Sequence, residues 1–314
     1  MNFHRLRITA IYALVPAALA LGGCQDVTTA PGGNTAGNNT GNPQEIAAIQ
    51  QVVDGENYTA AGTVESDFEI DTSAAFAPSA LGGVVTQAES LLFHRIVLNS
   101  TRTRTVTQSG DSATVMIAED RSGKLKIGHR GAGVQLERPF SDHGTRTATL
   151  VKHGDHWAVT SSSFLDRAST LVPVPVHIDY VEFTPQDGAA LRFDSASHLL
   201  TRDTWPMVPV RQVSITVKIS SAGEAGARVF LHDRYSEGVK EHHKMELTRD
   251  VVDPTLFHGT WTPNPGDKAH EKAWRRLLTV DVIDAATLSL DATVVYNAHE
   301  WVVPVAFRRG ESHT

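Results

Sequence analysis

The chain has 314 residues, of which 41% are hydrophobic and 20% charged, with 28 Lys and Arg against 35 Asp and Glu and a single cysteine. This is enough apolar material for more than one ordinary domain. The net charge of −7 argues against nucleic acid or an anionic lipid as partner, since either requires a basic surface. One cysteine excludes an internal disulfide and a thiolate metal site, so stability must come from packing.

The N-terminus carries the most specific pattern. Arg5 and Arg7 precede an apolar stretch over 8–21 that ends at Leu21-Gly22-Gly23-Cys24. The stretch contains Pro16 and falls short of the roughly 20 apolar residues of a membrane span, so it reads as a secretory signal that is removed. Leu, two small residues and then Cys resembles the processing site of bacterial lipoproteins position by position. That resemblance implies that Cys24 receives lipid, that 1–23 is cleaved, and that the protein lives in a bacterial cell envelope. It also implies outer-membrane sorting in a two-membrane host, because Gln25 and not Asp follows the cysteine. Two or more acyl chains anchor a protein stably, so the membrane is the first expected partner. Two of the 28 basic residues lie in the leader and none of the 35 acids does, which leaves −9 on the mature chain.

From Gln25 to Asn42 the only large apolar residue is Val27. The composition predicts a disordered tether over 24–42, with a reach of roughly 25 Å as a flexible coil. Asn42-Pro43-Gln44-Glu45 then offers a cap, a proline at the first helical position and a glutamate three residues on. Ile46, Ile49, Val52 and Val53 follow at helical spacing, with Gly55 as a stop. The 56–83 stretch reads as a second helix or a long loop.

Strands are expected over 91–98, 101–108, 112–119, 124–127, 145–152 and 157–163, with turns at Ser109-Gly110-Asp111, Arg121-Ser122-Gly123 and His153-Gly154-Asp155. A helix followed by an antiparallel meander is an α+β plan. This order of elements resembles the NTF2-like family, which implies a helix packed in a curved antiparallel sheet over 43–170. The alternating prolines of Leu171-Val172-Pro173-Val174-Pro175-Val176 mark an extended connector and the boundary to a second domain over 171–314. There Val213, Ile215, Val217 and Ile219 alternate with polar residues, and further strands are expected over 228–232, 256–261, 277–283, 288–295 and 301–307. The count resembles an immunoglobulin-like or fibronectin-like β-sandwich.

No chemical motif of comparable weight follows. His242-His243 beside Glu241, with His258 and His270, falls short of converging zinc ligands, because neighbours on a strand point to opposite faces. His153, Asp155 and His156 read as an exposed hairpin. Glu119, Asp120 and Asp284 read as acids at strand ends facing water. No Gly-x-Ser-x-Gly and no phosphate loop occurs. No catalytic residue, metal site or cofactor is therefore assigned. If the first domain encloses a concavity, His94, Arg95, Arg102 and Arg104 are the candidate ligand-binding residues. Arg102 and Arg104 share a strand face and suit a carboxylate or phosphate, although exposed edge-strand charges form the commoner alternative. Trp261 and Trp301 are expected in the core, Trp205 and Trp274 at the surface. The sequence thus predicts a lipid-anchored envelope protein that binds a small ligand or an envelope protein without catalysis. The competing reading is a hydrolase or isomerase working in a pocket of the first domain, with His94 paired with an unidentified acid.

Overall fold

The structure, a computed structural model, describes residues 32–55, 91–129, 133–201, 205–209, 212–223, 226–234, 242–263 and 273–308. These are mostly strand, in antiparallel sheets, with one short helix. In chain order the elements are β1 (Gly32–Ala36), α1 (Pro43–Gly55), β2 (Leu91–Ser109), β3 (Ser112–His129), β4 (Gly133–His153), β5 (His156–Ser162) and β6 (Leu165–Ser169). Then come β7 (His177–Pro185), β8 (Leu191–Phe193), β9 (Leu200–Thr201), β10 (Met207–Pro209), β11 (Val213–Ser220), β12 (Ala227–Arg234) and β13 (His242–Glu246). The chain continues through β14 (Thr248–Arg249), β15 (Leu256–Trp261), β16 (Ala273–Asp284), a 3-10 turn over Ala285–Leu288, and β17 (Ala298–Arg308).

Helix α1 starts where its cap predicts. The Asn42 side chain accepts from the Gln44 N–H at 2.9 Å, and Ile46, Ile49 and Val53 are buried. Glu45 does not close a capping box. Its carboxylate instead accepts from Lys152 Nζ at 2.7 Å and Trp157 Nε1 at 2.6 Å, tying the first helical turn to the β4–β5 hairpin. Within the stretch whose composition marks it as tether, Gly32–Ala36 pairs in parallel with β2, and the N–H groups of Gly37 and Thr40 continue along that edge to the carbonyls of Arg104 and Val106. Backbone hydrogen bonds hold this segment, which is why a composition without large side chains did not reveal it.

Three of the expected segments differ. The regions expected to hold two strands each, 91–108 and 112–127, are single long strands β2 and β3. Arg121-Ser122-Gly123 is no turn: β2 bulges between Val97 and Asn99, and Gly123 sits opposite the bulge. A Cβ on Gly123 would lie 1.9 Å from the Ile96 carbonyl oxygen, so glycine here serves close backbone approach. The expected strand over 288–295 is instead the end of the 3-10 turn and a loop, because Asp284 caps the turn through the Ala286 N–H and Asp291 accepts from the N–H and hydroxyl of Thr293. The hairpins at Gly110 and Gly154 form as expected, with φ of 58° and 65°.

The long sheet has the order β1-β2-β3-β4-β6-β17-β16-β12-β13, so one hydrogen-bonded ladder runs from the first half of the chain into the second. It curls strongly, since Phe93 on β2 meets Phe230 on β12 edge to face at 5.0 Å and Lys244 on β13 places its ammonium over both rings. At one end of the concave face α1 packs on Val106, Val115, Ile117, Ala148 and Leu150. At the other, Leu125, Ile127, Phe140, Phe230, Leu288 and Tyr296 form a second apolar cluster. The smaller sheet, β14-β15-β11-β7-β8, packs on the convex face as a β-sandwich, with Val213, Ile215, Val217 and Ile219 facing Leu278, Val280, Val282, Trp301 and Val303. Trp205 belongs to that core at 5% exposure, which corrects its expected place at the surface; the hydrophobic body of the indole outweighs its single polar N–H. The side chain of Trp274 lies outside the described residues.

Candidate functional site

Between the two apolar clusters of the concave face lies a band of buried charge. The β2 bulge creates it. Simple alternation would put Arg95 and Arg102 on opposite faces, but the extra residue restores them to one face, and His94 falls on the other. Arg95 is 3% exposed, Arg102 and Arg104 each 5%, and His94 9%, so none of the four is an exposed edge charge. His94 is pushed down to about 4, first by burial and then by Lys126, Arg95 and Lys244. It is a neutral imidazole with cationic neighbours.

Arg95 makes a two-pronged pair with Asp281 on β16, both contacts at 2.9 Å, and reaches Glu300 on β17 at 2.9 Å. Glu300 also takes Arg167 Nη1 at 2.9 Å and Arg121 Nη2 at 3.4 Å. Arg167 then bridges to Glu119 at 2.9 Å, and Arg121 to Asp142 at 3.3 Å. Ser100 donates to Glu119 at 3.0 Å, Tyr296 donates to Asp142 at 3.4 Å, and His232 lies 3.3 Å from Asp281. Glu300 is thus the hub, shared by three guanidiniums from three different strands.

The electrostatics follow from that wiring. Burial pushes Glu300 and Asp281 up, but the guanidiniums around them win and hold both below the usual carboxylate range. Asp142 goes the other way. Burial raises it to about 6 against Arg121, with Glu300 adding repulsion. Above the band, Arg104 pairs with Asp54 of α1 at 2.5 Å. Below it, the Arg138 guanidinium donates to the carbonyls of Val294, Ser289 and Asp291 and holds the 289–294 loop against the sheet. The band stitches seven strands, a helix and a loop together, and each carboxylate in it is engaged by a guanidinium.

A second cluster lies on the other face of β6 and β17. His299 Nε2 is 2.7 Å from Asp166 Oδ1, and Trp301 Nε1 donates to the same oxygen at 3.0 Å. The Ile178 N–H donates to His299 Nδ1 at 2.8 Å, which fixes the hydrogen on Nε2. Burial pushes Asp166 up, but the hydrogen bonds from His299 and Trp301 hold it down overall. Both imidazole nitrogens are used internally, so His299 has no lone pair to offer a substrate. It fastens β7 to β17 across the sandwich.

The remaining candidates do not converge. His156 and Asp155 form an exposed contact at 3.3 Å on the hairpin, as expected. His258 contacts Thr216 and Asp250. Cys24, Glu241, His270 and the side chains of His242 and His243 lie outside the described residues. Among the described residues no three His, Cys, Asp or Glu are placed to hold a metal, and no helix is long and apolar enough to cross a membrane. Sequence reasoning missed Arg121, Asp142, Arg167, Asp281 and Glu300. It also read Glu119 as a solvated strand end, whereas it is mid-strand and 7% exposed. The missing signal was available in part: arginine and acid at alternate positions of an otherwise apolar strand face. Comparisons with protein-family models, curated proteins and solved structures find no match.

Proposed function

We propose that the chain is a lipid-anchored envelope protein, tethered through Cys24, that acts by contact and not by catalysis. The observation that carries the non-catalytic part is the wiring of its polar core: Glu119, Asp142, Asp281 and Glu300 are each paired with a buried guanidinium, and both ring nitrogens of His299 are engaged within the protein, which makes a rigid body. The lipobox Leu21-Gly22-Gly23-Cys24 supports the anchor and an outer-membrane location in a two-membrane host. A helix on the concave face of a curled sheet supports an NTF2-like reading of the first half, and the packed five-stranded sheet an immunoglobulin-like reading of the second.

The anchor is tested by fractionating cells that express the Cys24→Ala variant. Release into the soluble envelope fraction is expected, and retention in the membrane overturns it. The contact role is tested by native mass spectrometry of that soluble variant with metal analysis. A mass equal to the bare chain is expected; a stoichiometric small molecule or metal overturns it in favour of the ligand-binding or enzyme reading.

A further inference from the structure

Building on that anchor, we infer that one end of the folded body, formed by the connections 170–176, 250–255 and 285–297, lies directly against a zwitterionic phospholipid surface.

The ladders define this end. β2, β4, β12 and β17 run away from it, and β3, β6 and β16 run back to it. The smaller sheet is aligned with them: Ile178, at the start of β7, donates to His299 at the start of β17, Ser220 pairs with His177, and the Ile219 N–H donates to the Thr255 carbonyl. All three connections therefore emerge on the same side, where β2 begins.

That end carries the exposed apolar side chains. On the 250–255 connection Val251 and Val252 stand 99% and 93% exposed, on 170–176 Val174 is 64% exposed, and on 285–297 Leu290 and Val295 are 47% and 50% exposed. Leu171 also lies on 170–176, and Val134 and Leu98 belong to the same half of the sheet. Among the described large apolar residues that stand exposed, only Met116 and Leu199 lie elsewhere. Segregation of this kind marks an interaction surface. The loops are also held in shape before any contact. Asp250 accepts from the N–H groups of Val252 and Asp253, Asp253 from Thr255, and Arg138 from below secures the loop that bears Leu290.

The chain's path selects the occupant. β1 enters the sheet with Gly32 opposite Ser100 and runs parallel to β2, so its upstream end faces this same end, beside Leu98. From Cys24 to Gly32 is eight residues, which span at most about 28 Å even when fully extended. The upstream end of β1 points to this end and away from α1, so a lipid on Cys24 approaches the body from this side, where apolar tips insert about 5–10 Å into the headgroup boundary. Asp250, Asp253 and Asp291 flank Val251, Val252 and Leu290, and they offset Lys218 and Arg249 beside the 250–255 connection, so this end has no excess of positive charge to draw anionic headgroups and suits zwitterionic ones.

The test uses the full lipidated chain, extracted from membranes and reconstituted into phosphatidylcholine–phosphatidylethanolamine vesicles with and without brominated acyl chains. One tryptophan is added at a time, as Leu290→Trp, Val174→Trp or, at the distant site, Leu199→Trp, and the native emission is subtracted. Bromination is expected to remove about half the added emission at 290 and 174, the insertion depth of such tips placing them among the bromines, and none at 199. Equal quenching at all three sites, or none at 290 and 174 in protein that stays on the vesicles, overturns the proposed face while leaving the anchor intact. Retention of Cys24→Ala in cell membranes overturns the anchor, and the face with it. Hydrogen exchange of the unsubstituted lipidated protein gives the same reading without a variant: protection at 170–176, 250–255 and 285–297 on vesicles is expected, and unchanged exchange there overturns the proposal.

Discussion

Replacing Glu300 by glutamine removes one negative charge from the point where three guanidiniums meet. The amide keeps one acceptor oxygen but turns an N–H group toward Arg95, Arg121 or Arg167, which contact the carboxylate at 2.9, 3.4 and 2.9 Å. Stranding a buried charge costs about 3–5 kcal/mol. The lower figure applies here, because Arg95 keeps Asp281, Arg167 keeps Glu119 and Arg121 keeps Asp142. A loss of about 3 kcal/mol lowers Tm by about 6–12 °C in a chain of this size. Thermal unfolding at neutral pH, followed by circular dichroism on the soluble Cys24→Ala background, measures it. The control is Lys124→Gln, which breaks the exposed pair with Glu137 and should shift stability by under about 1 kcal/mol. If Glu300→Gln shifts Tm no more than Lys124→Gln does, the hub is not a structural keystone and the reasoning from buried wiring fails.

Stability should peak in mildly acidic solution. Asp142 has a folded pKa near 6, above the ordinary 3.8, so the folded state binds that proton more tightly and gains stability as pH falls from about 7 toward 4. Asp281 and Glu300 are depressed, and the stability they contribute is lost as pH falls below the ordinary carboxylate range. In Asp142→Asn the rise between neutral pH and pH 5 should vanish while the acid-side loss remains, as denaturant titrations across pH will show. Gly123→Ala drives a methyl into the Ile96 carbonyl at 1.9 Å and the Phe140 ring at 2.8 Å; it should cost more than about 3 kcal/mol and leave the protein insoluble on expression, and a soluble variant with native circular dichroism contradicts the bulge geometry. Arg138→Met frees three carbonyls of the 289–294 loop, so hydrogen exchange there should accelerate while global stability falls by only about 1–3 kcal/mol; unchanged exchange would show that the loop is held by other contacts.

The parts of the fold that local chemistry decides were legible. The cap and apolar spacing of α1, the glycine hairpins at 110 and 154, and the alternation of β11 all appear where the residues place them, because each depends on neighbours a few positions apart. The long strands were not. Asn99-Ser100, between the strands expected over 91–98 and 101–108, and Arg121-Ser122-Gly123 have turn composition, yet here that composition serves a bulge and the glycine that faces it, a distinction only the pairing of β2 with β3 reveals. The same bulge hid the site. Arg102 and Arg104 were readable as one face, but Arg95 joins them only through the extra residue, and its partner Asp281 is 186 positions away in the chain. Charge in a core is legible only once its counter-charge is placed.

The lipid anchor is tested at its source by the mass of the N-terminal peptide of the mature protein, isolated from the membrane fraction. The expected chain begins at Cys24 and carries diacylglycerol on sulfur and acyl on its amino group. A chain beginning elsewhere, or an unmodified Cys24, contradicts it.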